Sequence, residues 1–229
     1  MSEHKSLAYF ITGTDTGVGK TLVASALIHS FAQQGFKSVG LKPVAAGCRL
    51  QDNVLISEDV ELLMAASNVA LPMEQLNPYA FAPVIAPHIA AAQAGEEIKL
   101  QVILQAYQKL VAQTDVVIVE GVGGFRVPLS DGFDTADLAE SLALPVILVV
   151  GMRLGCLSHA LLTVEAIQAR GLKLAGWVAN QVDTEMAAFD ENLHAIRQRL
   201  AVPCLGILLW MENADFRDAA KHLHLENLA

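Results

Sequence analysis

The stretch AYFITGTDTGVGKTLVASALIHSFAQQG, residues 8–35, leaves few folds open. Ala8–Thr12 is a short apolar run that predicts a buried strand, and Lys20 onward carries a helical pattern that ends at Gly35. A strand that turns on glycines straight into a helix converges backbone N–H groups on one point, a geometry suited to phosphate oxygens. Lys20 adds a positive charge for terminal phosphates, and the Thr21 hydroxyl is of the type that ligates Mg2+. The spacing departs from the usual G-x-x-x-x-G-K-[ST] pattern. Counting back from Gly19, the first glycine belongs at the place taken by Thr14, and the glycine is instead Gly13. An ordinary glycine turn is the alternative, but strand, G-K-T and helix together favour a phosphate cradle one residue longer than usual. Asp15 and Thr16 lie inside that loop, where the added length lets them reach toward a second reactant.

Further strands are predicted at Ser38–Lys42, Asp115–Glu120, Pro145–Val150, Leu174–Asn180 and Cys204–Leu208, with helical stretches such as SHALLTVEAIQARG and ENLHAIRQRL between them. Continuous apolar strands alternating with helices imply a mostly parallel sheet covered on both faces, a three-layer α/β fold. Ligands in such sheets bind at the carboxyl ends of the strands. There is no repeat and no linker, and a single domain over 1–229 is expected. One segment breaks the rhythm: LPMEQLNPYAFAPVIAPHIAAAQ holds four of the eight prolines and reads as a long ordered loop leading into a helix.

Apolar residues make up 53% of the 229 and charged residues 17%, which excludes a disordered chain. With 15 basic against 24 acidic residues the net charge is −9, unsuited to nucleic acid or an anionic membrane. An anionic ligand would need a local site. Cys48, Cys156 and Cys204 are scattered and odd in number, which points to a reducing compartment. The start MSEHKSLAYF lacks the apolar core of a signal peptide. The run LALPVILVVGM is too short to span a bilayer and stops at Arg153. The expectation is a cytoplasmic protein.

Three strand-end or helix-start features carry further chemistry. VVIVEGVGG ends an apolar strand in Glu120, which either caps a strand–helix turn or holds a metal; beside a phosphate loop the metal role is favoured. Gly121, Gly123 and Gly124 then let backbone approach a ligand. Lys42 leaves the second strand just before Pro43; it can face the same crevice as Lys20, although spacing alone favours a solvated lysine. Glu58 and Asp59 open a helix, where acidic residues usually complement the helix dipole.

Taken in order and spacing, TGTDTGVGKT, KPVAAG, VEGVGG, NPYAFAPVIAPHIAA, LPVILVVGMRLGCLSHALLT and GWVAN resemble the dethiobiotin synthetases, over nearly the whole chain. That family's loop has the longer form, so the displaced Gly13 looks like a family feature. The resemblance implies a P-loop NTPase-like α/β fold with a sheet of about seven strands and a homodimer with sites at the interface. It implies closure of a ureido ring from 7,8-diaminopelargonate, CO2 (or bicarbonate) and MgATP: the diamine takes up CO2 as a carbamate, ATP phosphorylates it, and the second amine attacks the mixed anhydride. By the same resemblance Thr21, Asp59 and Glu120 are Mg2+ ligands, and Lys20, Lys42 and Thr16 serve the reacting groups. Nucleotide contacts fall on Gly17, Val18, Gly19, Lys20, Thr21 and Leu22, on Gly121 and Gly123, on Asn180 as adenine reader, and on Leu209, Trp210 and Met211. Thr16, Lys42 and Ala46 face the diamine, and Gly155, Cys156, Leu157 and Ser158 of the partner subunit cradle its carboxylate.

The sequence departs from the family pattern at four of these places. Ala46 replaces a Ser or Thr, Leu209 a proline before Trp210, Gly17 a frequent acidic residue, and Ser158 a frequent Asn. These bear on substrate affinity and base selectivity more than on reaction type. Two other classes share the loop: a partner-controlled ATPase switch, which needs no Lys42, and a nucleotide-binding module without turnover. ADP release with and without diamine and bicarbonate separates all three.

Overall fold

The computed structural model describes residues 6–228; the first residues of the start that lacks a signal-peptide core, and Ala229, lie outside them. The elements are β1 (Leu7–Gly13), α1 (Lys20–Gln33), β2 (Ser38–Leu41), β3 (Val44–Ala46), β4 (Arg49–Gln51), β5 (Val54–Ile56), α2 (Glu58–Ala66), α3 (Met73–Leu76), β6 (Tyr79–Phe81) and α4 (Pro87–Gln93). There follow α5 (Leu100–Val111), β7 (Val116–Glu120), α6 (Thr135–Leu142), β8 (Val146–Met152), α7 (Cys156–Ala169), β9 (Leu174–Gln181), α8 (Phe189–Arg199), β10 (Cys204–Leu208) and α9 (Phe216–Ala220).

Six strands form one parallel sheet in the order β10-β9-β8-β1-β7-β2. The expected strands are all present within a residue or two, and six is close to the roughly seven that the resemblance implied. Successive residues point to opposite faces, so each strand feeds two cores. In β1, Ala8 and Phe10 join the core beneath α5, α6 and α7, while Tyr9 and Ile11 join the core beneath α1 and α9. Strand β7 divides in the same way, with Val117 and Val119 on one face and Val116 and Ile118 on the other. Because both faces are covered, these strands read as unbroken apolar runs.

The sheet order brings three distant pieces of sequence together. Strand β7 lies between β1 and β2, so the loops leaving all three open at the same edge. Helix α2 packs over β2 against α1, and Gly40 makes that contact close: a Cβ there would sit 2.8 Å from the Leu63 Cβ and 2.9 Å from the Ile28 Cδ1.

The proline-rich segment ends in the expected helix, α4, but the loop before it is more structured than expected. It holds α3 and the strand β6, which pairs in parallel with β3 through Val44–Tyr79 and Ala46–Phe81. That pairing joins chain positions too far apart for a local pattern to reveal. Strands β4 and β5 form a separate exposed hairpin, its turn made by Asp52 and Asn53 at positive φ.

Since Gly40 holds the strand that delivers Lys42, a Gly40→Val variant is expected to lose about 1–3 kcal/mol of stability from overpacking. Urea unfolding should show a lower midpoint with an unchanged slope.

Candidate active site

The loop between β1 and α1 is built around Val18. Its side chain is 1% exposed and is wedged between two glycines: a Cβ on Gly13 would lie 2.5 Å from the Val18 Cγ2, and one on Gly151 would lie 2.6 Å from the Cγ1. The first glycine is therefore displaced because the longer loop folds a side chain back onto the end of β1. The Thr14 N–H donates to the Val149 carbonyl (3.0 Å), and the Gly151 N–H donates to the Thr14 Oγ1 (3.2 Å), which ties the loop to β8. The Asn180 Nδ2, at the end of β9, donates to the Val18 carbonyl at 2.9 Å. Gly17 and Gly19 take left-handed φ values of 72° and 89°, and α1 begins without a side-chain cap. Its first N–H groups are left for a ligand.

Lys20 is buried, and its Nζ donates to the Asp15 carbonyl at 2.9 Å. Burial, then the nearby Lys42 charge, lower its pKa to about 8, against the pull of Glu120, Asp59 and Asp15.

Lys42 is not the solvated lysine that spacing favours. It is 3% exposed, and its Nζ lies 2.7 Å from the Glu120 Oε1 and 2.7 Å from the Asp59 Oδ2. The Thr21 hydroxyl meets the same two carboxylates, at 2.9 Å from the Asp59 Oδ1 and 2.8 Å from the Glu120 Oε1. Burial disfavours the Lys42 ammonium, but Glu120 and Asp59 outweigh it and hold the pKa above the ordinary lysine value. Burial likewise pushes Asp59 up, and Lys42 and Thr21 bring it below the usual range. At Glu120 burial wins and raises the carboxyl, opposed by Lys42 on the same contact. The Lys42 ammonium, 2.7 Å from both carboxylates, favours the ion-paired form, and the single Thr21 hydroxyl proton serves one carboxylate at a time. So Asp59 does more than complement a helix dipole.

Backbone contacts fix the lysine from a side the sequence did not reveal. The Asn77 Nδ2 donates to the Lys42 carbonyl (2.7 Å), and the Lys42 N–H donates to the Leu76 carbonyl (2.8 Å). Asn77 sits in the proline-rich segment, at the start of the NPYAFAPVIAPHIAA motif, and nothing local in the sequence ties it to Lys42.

These groups open into a cleft of about 670 Å3. Thr16, Gly17, Gly19, Ala46 and Gly123 line it, and the far wall is Val84, Ile85, Ala86 and Pro87. That wall was not anticipated; it hangs from the β3–β6 pairing, with the Gly47 N–H on the Pro83 carbonyl at 3.0 Å. Gly121 abuts the cluster, its carbonyl 3.3 Å from the Lys42 Nζ.

Other expected site residues stand apart. Leu22 is half-buried on α1, beside the core. Leu209 and Trp210 are 59% and 53% exposed after β10, with Met211 half-buried beside them and the Trp210 N–H donating to the Gln181 Oε1 at 3.2 Å. Gly155, Leu157 and Ser158 lie at the start of α7, outside the cleft wall. That helix repeats the α1 device: Gly155 has φ 94° and there is no side-chain cap. Arg153 joins the turn before it to the phosphate loop, 2.5 Å from the Asp15 Oδ2. Burial raises the Cys156 and Cys48 thiols, which suits packing and not nucleophilic attack.

The donor set suits a hard divalent cation. Thr21, Asp59 and Glu120 offer only oxygens, and the Glu120 Oε2 is buried with no hydrogen-bond partner.

A family model described as an AAA domain matches residues 8–216. The ATP-dependent dethiobiotin synthetase BioD of Nitrosospira multiformis is 56% identical over 220 residues, covering 96% of each chain. Its namesake from Aromatoleum aromaticum is 55% identical, over 95% of this chain and 97% of that one. This chain belongs to the dethiobiotin synthetase family.

Distant solved structures share the architecture. The MinC:MinD cell division complex of Aquifex aeolicus matches at TM-score 0.55 and 15% identity, over 94% of this chain and 86% of that one. Cobyrinic acid a,c-diamide synthase of Mycobacterium smegmatis, with bound ATP analogue and magnesium, matches at 0.53 and 16%, over 94% and 93%. The α/β fold seen in this member of the dethiobiotin synthetase family thus recurs in proteins of low sequence identity.

Within this family member the loop has little tolerance at Gly19. A Cβ there would lie 2.2 Å from the Asn180 Nδ2, and the left-handed φ adds about 1–2 kcal/mol of strain for any other residue. Gly19→Ala is expected to weaken nucleotide binding at least about tenfold, measured by calorimetric titration with ATP.

Proposed function

We propose that the chain is an ATP-dependent dethiobiotin synthetase that closes a ureido ring from 7,8-diaminopelargonate and CO2, with release of ADP and phosphate. One observation carries the reading: Lys20, Thr21, Lys42, Asp59 and Glu120 meet at the mouth of the phosphate loop, in a cleft large enough for a second reactant. Phosphoryl transfer needs no nucleophile on the protein, only positioned charge. A partner-controlled switch would have no use for a second buried lysine.

In this reading the N–H groups of Gly17, Val18 and Gly19 and the start of α1 hold the phosphates, with Lys20 beside them. Thr21, Asp59 and Glu120 would hold Mg2+, which when bound would supply charge neutralisation for the transferred phosphoryl group. Lys42 stabilises the charge that builds as the γ-phosphoryl group passes to the carbamate, with Thr16 and Ala46 on the diamine side. Asn180 and the Leu209–Met211 turn take the base. The protein acts as one domain in the cytoplasm; among the described residues no helix is long and apolar enough to cross a membrane.

We place the carboxylate of the diamine at the uncapped start of α7 from a partner subunit, because Gly155–Ser158 lie off the cleft wall of their own chain. Leu154 and Leu162, 95% and 61% exposed near that turn, suit a homodimer contact.

ADP release should require both diamine and bicarbonate. Turnover with ATP alone would favour the switch, and stabilisation by ATP without turnover in any mixture would favour a binding module. Lys42→Gln is expected to bind MgATP at least as well as the parent and to lose about 10²–10³ in kcat; a loss of only a few-fold would remove Lys42 from the chemistry. A mixed dimer of Lys20→Gln and Ser158→Ala chains should regain activity that neither homodimer has, and a fully active monomer in sedimentation would exclude shared sites.

A further inference from the structure

We propose that the Lys42 ammonium is an exchangeable internal cation: it holds the oxygens that a divalent ion needs, and it reaches the reacting groups only after giving them up. This deepens the reading above and rests on its assignment of Thr21, Asp59 and Glu120 as cation ligands.

The geometry carries the idea. The Lys42 Nζ touches the Glu120 Oε1 and the Asp59 Oδ2, each at 2.7 Å, and the Gly121 carbonyl at 3.3 Å. Thr21 Oγ1 bridges the same two carboxylates at 2.8 and 2.9 Å. A magnesium ion in contact with these groups needs oxygens at about 2.0–2.1 Å. An ammonium on the same oxygens fills that junction, and two cations there would repel at contact distance. Occupancy by one therefore excludes the other.

Three further features fit exchange and not a fixed structural bridge. The Glu120 Oε2 is buried with no partner, so this carboxylate has an acceptor that the lysine does not use. Lys42 lines the cleft, into which its long flexible stem can turn. Lys20 is the anchored member of the pair, because its Nζ is tied to the Asp15 carbonyl at 2.9 Å inside the loop. The consequence is ordered binding. With the carboxylates neutralised by Lys42, affinity for the free divalent ion is low. Phosphate oxygens entering the cleft offer the lysine new partners, so metal and nucleotide enter together.

The test uses the intact protein without diamine. Wild type and Lys42→Met are titrated with MgCl2 in the absence of nucleotide, by calorimetry and by thermal unfolding. Removing the resident charge should tighten Mg2+ binding at least about tenfold, a modest share of one contact charge interaction in a partly buried site. The variant, and not the wild type, should gain Tm with added Mg2+. Glu120→Gln in the Lys42→Met background should abolish both gains. Binding no tighter than wild type, or a gain that survives Glu120→Gln, overturns the proposal. Should Lys42→Met fail to fold, exchange is read on the wild type by acetylation of Lys42 with acetic anhydride, followed by mass spectrometry. Labelling should be faster with ADP plus Mg2+ than with ADP plus EDTA; equal labelling overturns the proposal. None of these readouts involves ring closure, so failure of the dethiobiotin synthetase assay is a separate result.

Discussion

A buried lysine that must be neutralised governs how the elements of this protein meet. Lys42 and Glu120 are 3% and 1% exposed, and removing one partner of such a pair leaves a charge without compensation, at about 3–5 kcal/mol. The sheet order answers that demand by setting β7 between β1 and β2, so that Glu120 arrives from one strand end and Lys42 from the next. Helix α2 closes the cluster with Asp59, and α1 supplies Thr21 from the phosphate loop. Gly40 lets α2 come close enough, and Asn77 fixes the backbone from which the lysine leaves. The ion pair thus joins strand and helix ends that are far apart in the chain.

How much of this could be read from sequence follows from how local each contact is. The strand, loop and helix at residues 8–35 were legible because their signals are consecutive, and the sheet strands because burial on both faces leaves unbroken apolar runs. Lys42 was illegible from spacing. Its decisive partner is Glu120, 78 positions away, and a lone lysine after a strand is usually solvated. Only the conjunction of motifs that resembles a family pointed to it. The first part of the proline-rich segment reads as a loop, before its helix, for a related reason: β6 is three residues long and exists by pairing with β3 from another part of the chain. The cleft wall at Val84–Pro87 depends on that pairing, so it was hidden as well.

The loop spacing shows how one extra residue can be used. Val18 is turned inward, where Gly13 and Gly151 leave space for it, and its carbonyl is taken by Asn180. Gly19 must then lack a side chain, since Asn180 occupies the volume that one would fill. Gly151 and Asn180 are register neighbours on β8 and β9, so the loop is fastened to two strands beyond its own. If Asn180 also reads the adenine edge, as proposed, its Nδ2 already donates to Val18. That bond uses one of its two N–H donors; the second N–H and the carbonyl oxygen remain, so the amide can still both donate to and accept from a base edge. Base preference and the shape of the phosphate cradle would then rest on the same amide, and a change at either end of the nucleotide site would be felt at the other.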